Sequence, residues 1–127
     1  MRITVSGAAS VEEVWARYED PHRWAQWSPQ IRRVDVSGRH LAPGLTGVVH
    51  PILGPTVHFR ITAVDRVNNT WSWRVGRGPL RIPMHHGVTW LPDGSEAWID
   101  LMTTVGLAYA PLARVALKRL TTPAPGP

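Results

Sequence analysis

From residue 31 to about residue 105 the chain alternates apolar and polar residues in short runs, and every run stops at a turn former. The runs are Ile31–Val36, 46-TGVVHPI-52, 56-TVHFRITAVDRV-67, 70-TWSWRV-75, 80-LRIPMHHGVTWL-91 and 96-EAWIDLMTTV-105. Between them stand 37-SGRHLAPG-44, a Gly-Pro pair, Asn68-Asn69, 76-GRGP-79 and 92-PDGS-95. Side chains on a strand point to opposite faces in turn, so this spacing predicts half-buried strands joined by hairpins. Consecutive hairpins make an antiparallel sheet with one face to cover. Pro83 cannot donate to a ladder and predicts an edge or a bulge at that point.

The cover comes from the two ends of the chain. Residues 2–6, RITVS, read as a short first strand. Ser10 and Glu13 then form a capping box, in which the Ser hydroxyl accepts from the backbone and Glu13 reaches back. Val11, Val14, Trp15 and Tyr18 recur at helical spacing, predicting a helix over 11–19. Asp20-Pro21 ends it, because the residue before a proline is pushed out of the helical region. Residues 22–27 allow a further short helical piece, stopped by Ser28-Pro29, that sets Trp24 and Trp27 side by side. At the other end, 111-PLARVALKRL-120 predicts a second helix with Pro111 in its first position. Residues 122–127, TPAPGP, read as a disordered end, which leaves one domain over 1–121. The expected class is α+β, with helices on one face of a curved antiparallel sheet of about seven strands and a hollow between the layers.

Composition narrows the function. The chain has 127 residues and no Cys, which removes disulfides, thiolate zinc sites and thiol nucleophiles. The first ten residues lack a signal peptide's apolar run and no run reaches the length of a membrane span, so the expected location is cytoplasmic. The net charge of +5 raises the question of nucleic acid. The basic residues are spread along the chain, however, with only Arg32-Arg33 and Lys118-Arg119 adjacent, so the expectation is no nucleic-acid partner. The unusual count is 7 Trp against 1 Phe and 2 Tyr. An indole is large and carries an N–H that needs a partner, which suits a half-wet cavity wall.

The order of elements, with 19-EDPHRWAQWSPQIRRV-34, resembles the START-like superfamily, also called SRPBCC, in its polyketide cyclase/dehydrase and lipid transport branch. The residues that carry the likeness are Val14-Trp15, Asp20-Pro21, Trp24, Trp27 and Pro29, and later the hairpin 86-HGVTWLPDGSEAWIDL-101. The resemblance implies a helix-grip fold, in which the sheet wraps a C-terminal helix around an apolar cavity. It also implies either binding of a lipid, polyketide or other hydrophobic molecule, or cyclisation or dehydration of a polyketide chain. The chain departs from the family in one respect. Its last helix is expected to reach no further than from Leu107 to Leu120, roughly 20 Å at 1.5 Å per residue. A pocket so covered is small, open at one end, or completed by a second subunit in a homodimer.

Alternation then groups Trp71, Trp73 and Val75 on one face, Met84, His86, Val88 and Trp90 on the next strand, and Trp98, Asp100, Met102 and Thr104 on the last. If these sets face inward, the ligand-binding residues are Trp71, Trp73, Met84, His86, Trp90, Trp98 and Met102. An ordinary packed core is the alternative. For an enzyme the catalytic candidates are His86, as a general acid/base with an ordinary pKa near neutrality, and Arg74 or Asp100, orienting carbonyls. His85 and His86 diverge to opposite faces and cannot share a metal, and no Gly-rich nucleotide loop is present. Neither a metal nor a cofactor is expected.

Overall fold

The computed structural model describes residues 1–125. Seven strands form one antiparallel sheet in the order β1-β7-β6-β5-β4-β3-β2. They are β1 (Arg2–Gly7), β2 (Ile31–Val36), β3 (Thr46–Pro51), β4 (Val57–Asp65), β5 (Thr70–Arg77), β6 (Leu80–Leu91) and β7 (Gly94–Asp100). Because β1 and β2 lie at opposite edges, the chain between them must cross one face of the sheet. It does so as α1 (Val11–Glu19), a 3-10 turn over Pro21–Arg23 and α2 (Trp24–Trp27). The C-terminal α3 (Thr103–Leu120) lies on the same side, against β1 and β7. This is the helix-grip arrangement.

Ser10 caps α1 by accepting from the Glu13 amide at 3.1 Å. The reciprocal arm of the capping box is absent. Glu13 instead accepts from Arg17 at 2.9 Å and from the Ala124 amide at 3.0 Å. Arg17 in turn donates to the Leu120 and Thr122 carbonyls at 2.6 and 2.8 Å, satisfying acceptors that the end of α3 leaves open. So α1 and the last turn of α3 are clamped together. Residues 122–125, read from sequence as part of a loose end, include these two contacts, and 126–127 lie outside the described residues.

The corner after α1 works as the sequence suggested. Asp20 accepts from the His22 amide at 3.0 Å, and Trp24, 1% exposed, donates its indole N–H to the Tyr18 carbonyl at 3.0 Å. That bond redirects the chain under the sheet.

Two expected boundaries move. The last strand ends at Asp100 rather than Val105, and α3 begins at Thr103 rather than Pro111. Pro111 therefore sits inside α3, not at its first position. One proline removes one hydrogen bond and leaves the flanking turns intact. At 18 residues α3 spans about 27 Å. The grip is full length, which removes the reason for expecting a second subunit to complete it. Pro83 lies on an interior strand, yet β6 meets β7 only from His85 onward, so at Pro83 that side of β6 is an edge.

Candidate ligand-binding site

The covered face of the sheet is where the aromatic residues collect. Trp71 on β5 lies flat against His86 on β6, ring centres 4.1 Å apart, and against Trp24 at 5.3 Å. Trp73 stands edge-on to Trp24 and Trp71 at 5.2 and 5.3 Å. Tyr18 meets Trp71 edge-on at 5.5 Å and Trp27 at 5.7 Å. Aromatic pairs favour these offset and edge geometries. The rings interlock, and the space left among them is only about 50 Å³.

A larger recess of about 220 Å³ opens beside this floor. Ile31 and Val49 form one wall, Val57, Val75 and Ile82 the other, and Val105 and Tyr109 close it from α3. Trp73, Met84, Ile31 and Tyr109 border both spaces, so floor and recess are neighbours. Gln30, between α2 and β2, donates its side-chain N–H to the Tyr109 hydroxyl and ties the corner to α3 across the recess.

The floor is polar in one respect. The Trp27, Trp71 and Trp73 indole N–H groups, the Tyr18 hydroxyl and His86 Nδ1 are buried and have no hydrogen-bond partner among the described residues, and neither does Gln30 Oε1 at the recess. Such groups are rare and call for an explanation. Three of them are obligate donors. Electrostatics keep the site uncharged. Burial, with the neighbouring His85 adding to it, lowers the His86 pKa from 6.5 to about 3. Burial raises the Tyr18 phenol, and raises Tyr109 to about 12 despite its bond from Gln30. At pH 7 all three are neutral.

The residues expected to line a cavity divide. Trp71, Trp73, Met84 and His86 border the interior. Trp98, Asp100, Trp90 and Met102 do not. On β7 the inward positions are Ser95, Ala97 and Ile99, so Trp98 and Asp100 face outward. Trp98 lies across Gly87, its register partner, where a β-carbon would come within 2.3 Å of the ring. Arg2 stacks its guanidinium 4.1 Å from the Trp98 ring and grips Asp100 with two bonds of 2.7 and 2.6 Å. That pairing lowers the Asp100 pKa. It is an edge clamp between β1 and β7. Trp90 shares the parity of His86 but sits near the β6–β7 turn, beside Ser10 and Val11, and is 68% exposed. Met102 has left the sheet and caps α3, 52% exposed.

The catalytic constellation is not assembled. Arg74 is exposed on the outer face and Asp100 is held by Arg2, while His86 alone is inside. Held neutral by burial, His86 lacks the near-neutral pKa that made it a candidate general acid/base. His85 does diverge to the outer face, where it pairs with Ser72 at 2.6 Å. Among the described residues no group of three or more His, Asp or Glu could hold a metal ion.

Sequence reasoning missed Tyr18, Ile31, Ile82 and Tyr109 as walls. Tyr109 follows Val105 at helical spacing, a signal hidden by starting the helix at Pro111. Ile82 shares parity with Met84 and His86 and could have been counted with them.

No curated protein sequence matches the chain. Among solved structures, that of Ara h 8.0201 aligns with a TM-score of 0.72 at 11% identity, covering 95% of this chain and 93% of that one. A protein from Nitrosospira multiformis aligns at 0.73 with 16% identity, covering 95% and 92%. DynU16, from the dynemicin biosynthetic locus, aligns at 0.71 with 22% identity over 95% of this chain but only 45% of its own, so this chain spans less than half of it. At these identities the likeness is one of fold. The sequence evidence reaches further: residues 1–123 match the family described as polyketide cyclase/dehydrase and lipid transport, and the chain belongs to that START-like (SRPBCC) family.

Proposed function

We propose that the protein binds a compact apolar or aromatic molecule that carries a hydrogen-bond acceptor. The single observation that supports this most is the pairing of an apolar recess of about 220 Å³ with a floor in which the buried indole N–H groups of Trp27, Trp71 and Trp73 have no partner among the described residues. The recess is below the size range of drug-sized sites, roughly 300–1,000 Å³. The occupant is therefore a small ring system, or one end of a longer chain that emerges through the mouth. Its apolar part lies against Val75, Ile82 and Val105, and its acceptor is directed at Trp73 and the atoms beyond it.

The family description also names cyclases and dehydrases. That reading needs a proton donor or acceptor tuned near neutrality, and His86 with a pKa of about 3 is a neutral hydrogen-bond partner at pH 7. Binding is the better supported function. Acetylnaphthalene, an uncharged ring system with one carbonyl, is a suitable probe. It should bind in calorimetry and raise the melting temperature. Ile82→Trp, which fills the recess, should weaken binding by about tenfold or more, about 1.4 kcal/mol, without unfolding the protein. Undiminished affinity in that variant would place the ligand elsewhere.

A further inference from the structure

The opposite face of the same strands carries a second concavity with different chemistry. It is a groove of about 490 Å³ over β4, β5 and β6, lined by Arg60, Arg74, Arg77, Arg81 and His58, with no Asp or Glu among its walls. The register makes this concentration costly. Arg60 and Arg74 are direct cross-strand partners, and like charges so placed repel. Elsewhere four arginines are ion-paired, Arg2 with Asp100, Arg17 with Glu13, Arg33 with Asp35 and Arg66 with Glu19, while Arg23, Arg32, Arg39, Arg114 and Arg119 are spread over the rest of the chain. In the groove Arg77 donates to His58, and none of the four guanidiniums is ion-paired among the described residues. The rim is shaped by Gly76, at φ +120°, where a β-carbon would strike the Leu80 carbonyl oxygen at 2.0 Å. That glycine lets the β5–β6 turn fold tightly enough to bring Arg77 and Arg81 to the same hollow as Arg60 and Arg74.

Guanidinium groups present planar forks of donors that match phosphate oxygens two at a time. A concave cluster of four, with nothing of opposite sign, raises the local concentration of anions. We propose that this groove is an anion site for a phosphate-bearing group, carried either by a small soluble molecule or by a lipid headgroup. Its volume exceeds what one phosphate needs, so the group carries a second phosphate or a substituent. The site is separate from the apolar recess: Trp73 and Val75 of β5 and Ile82 and Met84 of β6 line the recess and not the groove, and the two share no wall residue.

The test uses the full chain at constant ionic strength, with inorganic pyrophosphate as one probe and neutral phosphatidylcholine vesicles, with and without phosphatidic acid, as the other. The double variant Arg60→Gln/Arg74→Gln is compared with the wild type, and Arg81→Gln serves as a second, single change. All three positions are exposed, and retained acetylnaphthalene binding reports that the fold is intact. A melting-temperature rise of several degrees with pyrophosphate, lost in the double variant and reduced in Arg81→Gln, assigns the site to a soluble phosphate. Sedimentation only with phosphatidic acid vesicles, lost in the same variants, assigns it to a headgroup. No response beyond that to chloride, or a response the variants leave unchanged, overturns the proposal. So does binding of a short DNA duplex, steeply salt-dependent and lost in the double variant, in the absence of any response to either phosphate probe.

Discussion

His86 packs flat on Trp71 within the aromatic floor, and this contact has a measurable consequence for acid stability. Its pKa falls from 6.5 to about 3 because burial disfavours the imidazolium, with the charge of His85 adding to the effect. Between those values the unfolded chain binds a proton that the native state refuses. The contribution of His86 is therefore intact above pH 6.5 and is lost progressively as the pH falls toward 3. The rate of loss is at most about 1.4 kcal/mol per pH unit. Phenylalanine keeps a flat ring against Trp71 and cannot titrate. Denaturant unfolding at several pH values from 7 to 4.5 should show stability falling more steeply in the wild type than in His86→Phe. Parallel slopes would mean that the native imidazole is already hydrated. Asp35, Asp65 and Asp100, whose pKa values are lowered by His50, Asn68 and Arg2 respectively, act at lower pH and in both proteins alike.

At the level of elements, α3 does two jobs on either side of Pro111. Beyond it, Ala113, Ala116, Leu117 and Leu120 are buried. Before it, Val105 and Tyr109 close the recess. The proline lacks the N–H that would bond the Leu107 carbonyl, and its ring crowds that turn. Pro111→Ala should therefore stabilise the fold by about 1–3 kcal/mol, seen as a higher urea midpoint at unchanged slope. A lower midpoint would mean that α3 needs the proline's bend to follow the sheet. The same helix marks where sequence reasoning stopped. The extents of β2 and β6, the helix 11–19 and the Ser10 cap were all legible, because periodicity and capping are local signals. The start of α3 was not, since a proline at a plausible first position outweighs a weakly amphipathic stretch before it. On β7 the error was of parity. The large Trp98 was read as an inward residue, although Glu96 and Asp100 share its face and charged residues belong outside. The small Ser95 and Ala97 are the ones facing inward.

At the level of the molecule, one sheet separates two chemistries. Its covered face carries an apolar recess above unpartnered indoles, and its outer face carries unpaired arginines. The hollow itself could be anticipated from the antiparallel topology and the Trp count. Its position could not, because it depends on how tightly Trp24, Trp71 and His86 stack, and no sequence pattern records that. The proposed binding depends on those free N–H groups meeting a ligand's acceptor. The seven indole N–H signals of the ¹⁵N-labelled protein, followed during titration with acetylnaphthalene, report on this directly. The signal of Trp73, which borders the recess, and those of Trp71 and Trp27 behind it should shift saturably, while those of Trp90 and Trp98 outside the interior stay in place. Shifts confined to Trp90 and Trp98, or none at any indole, would contradict it.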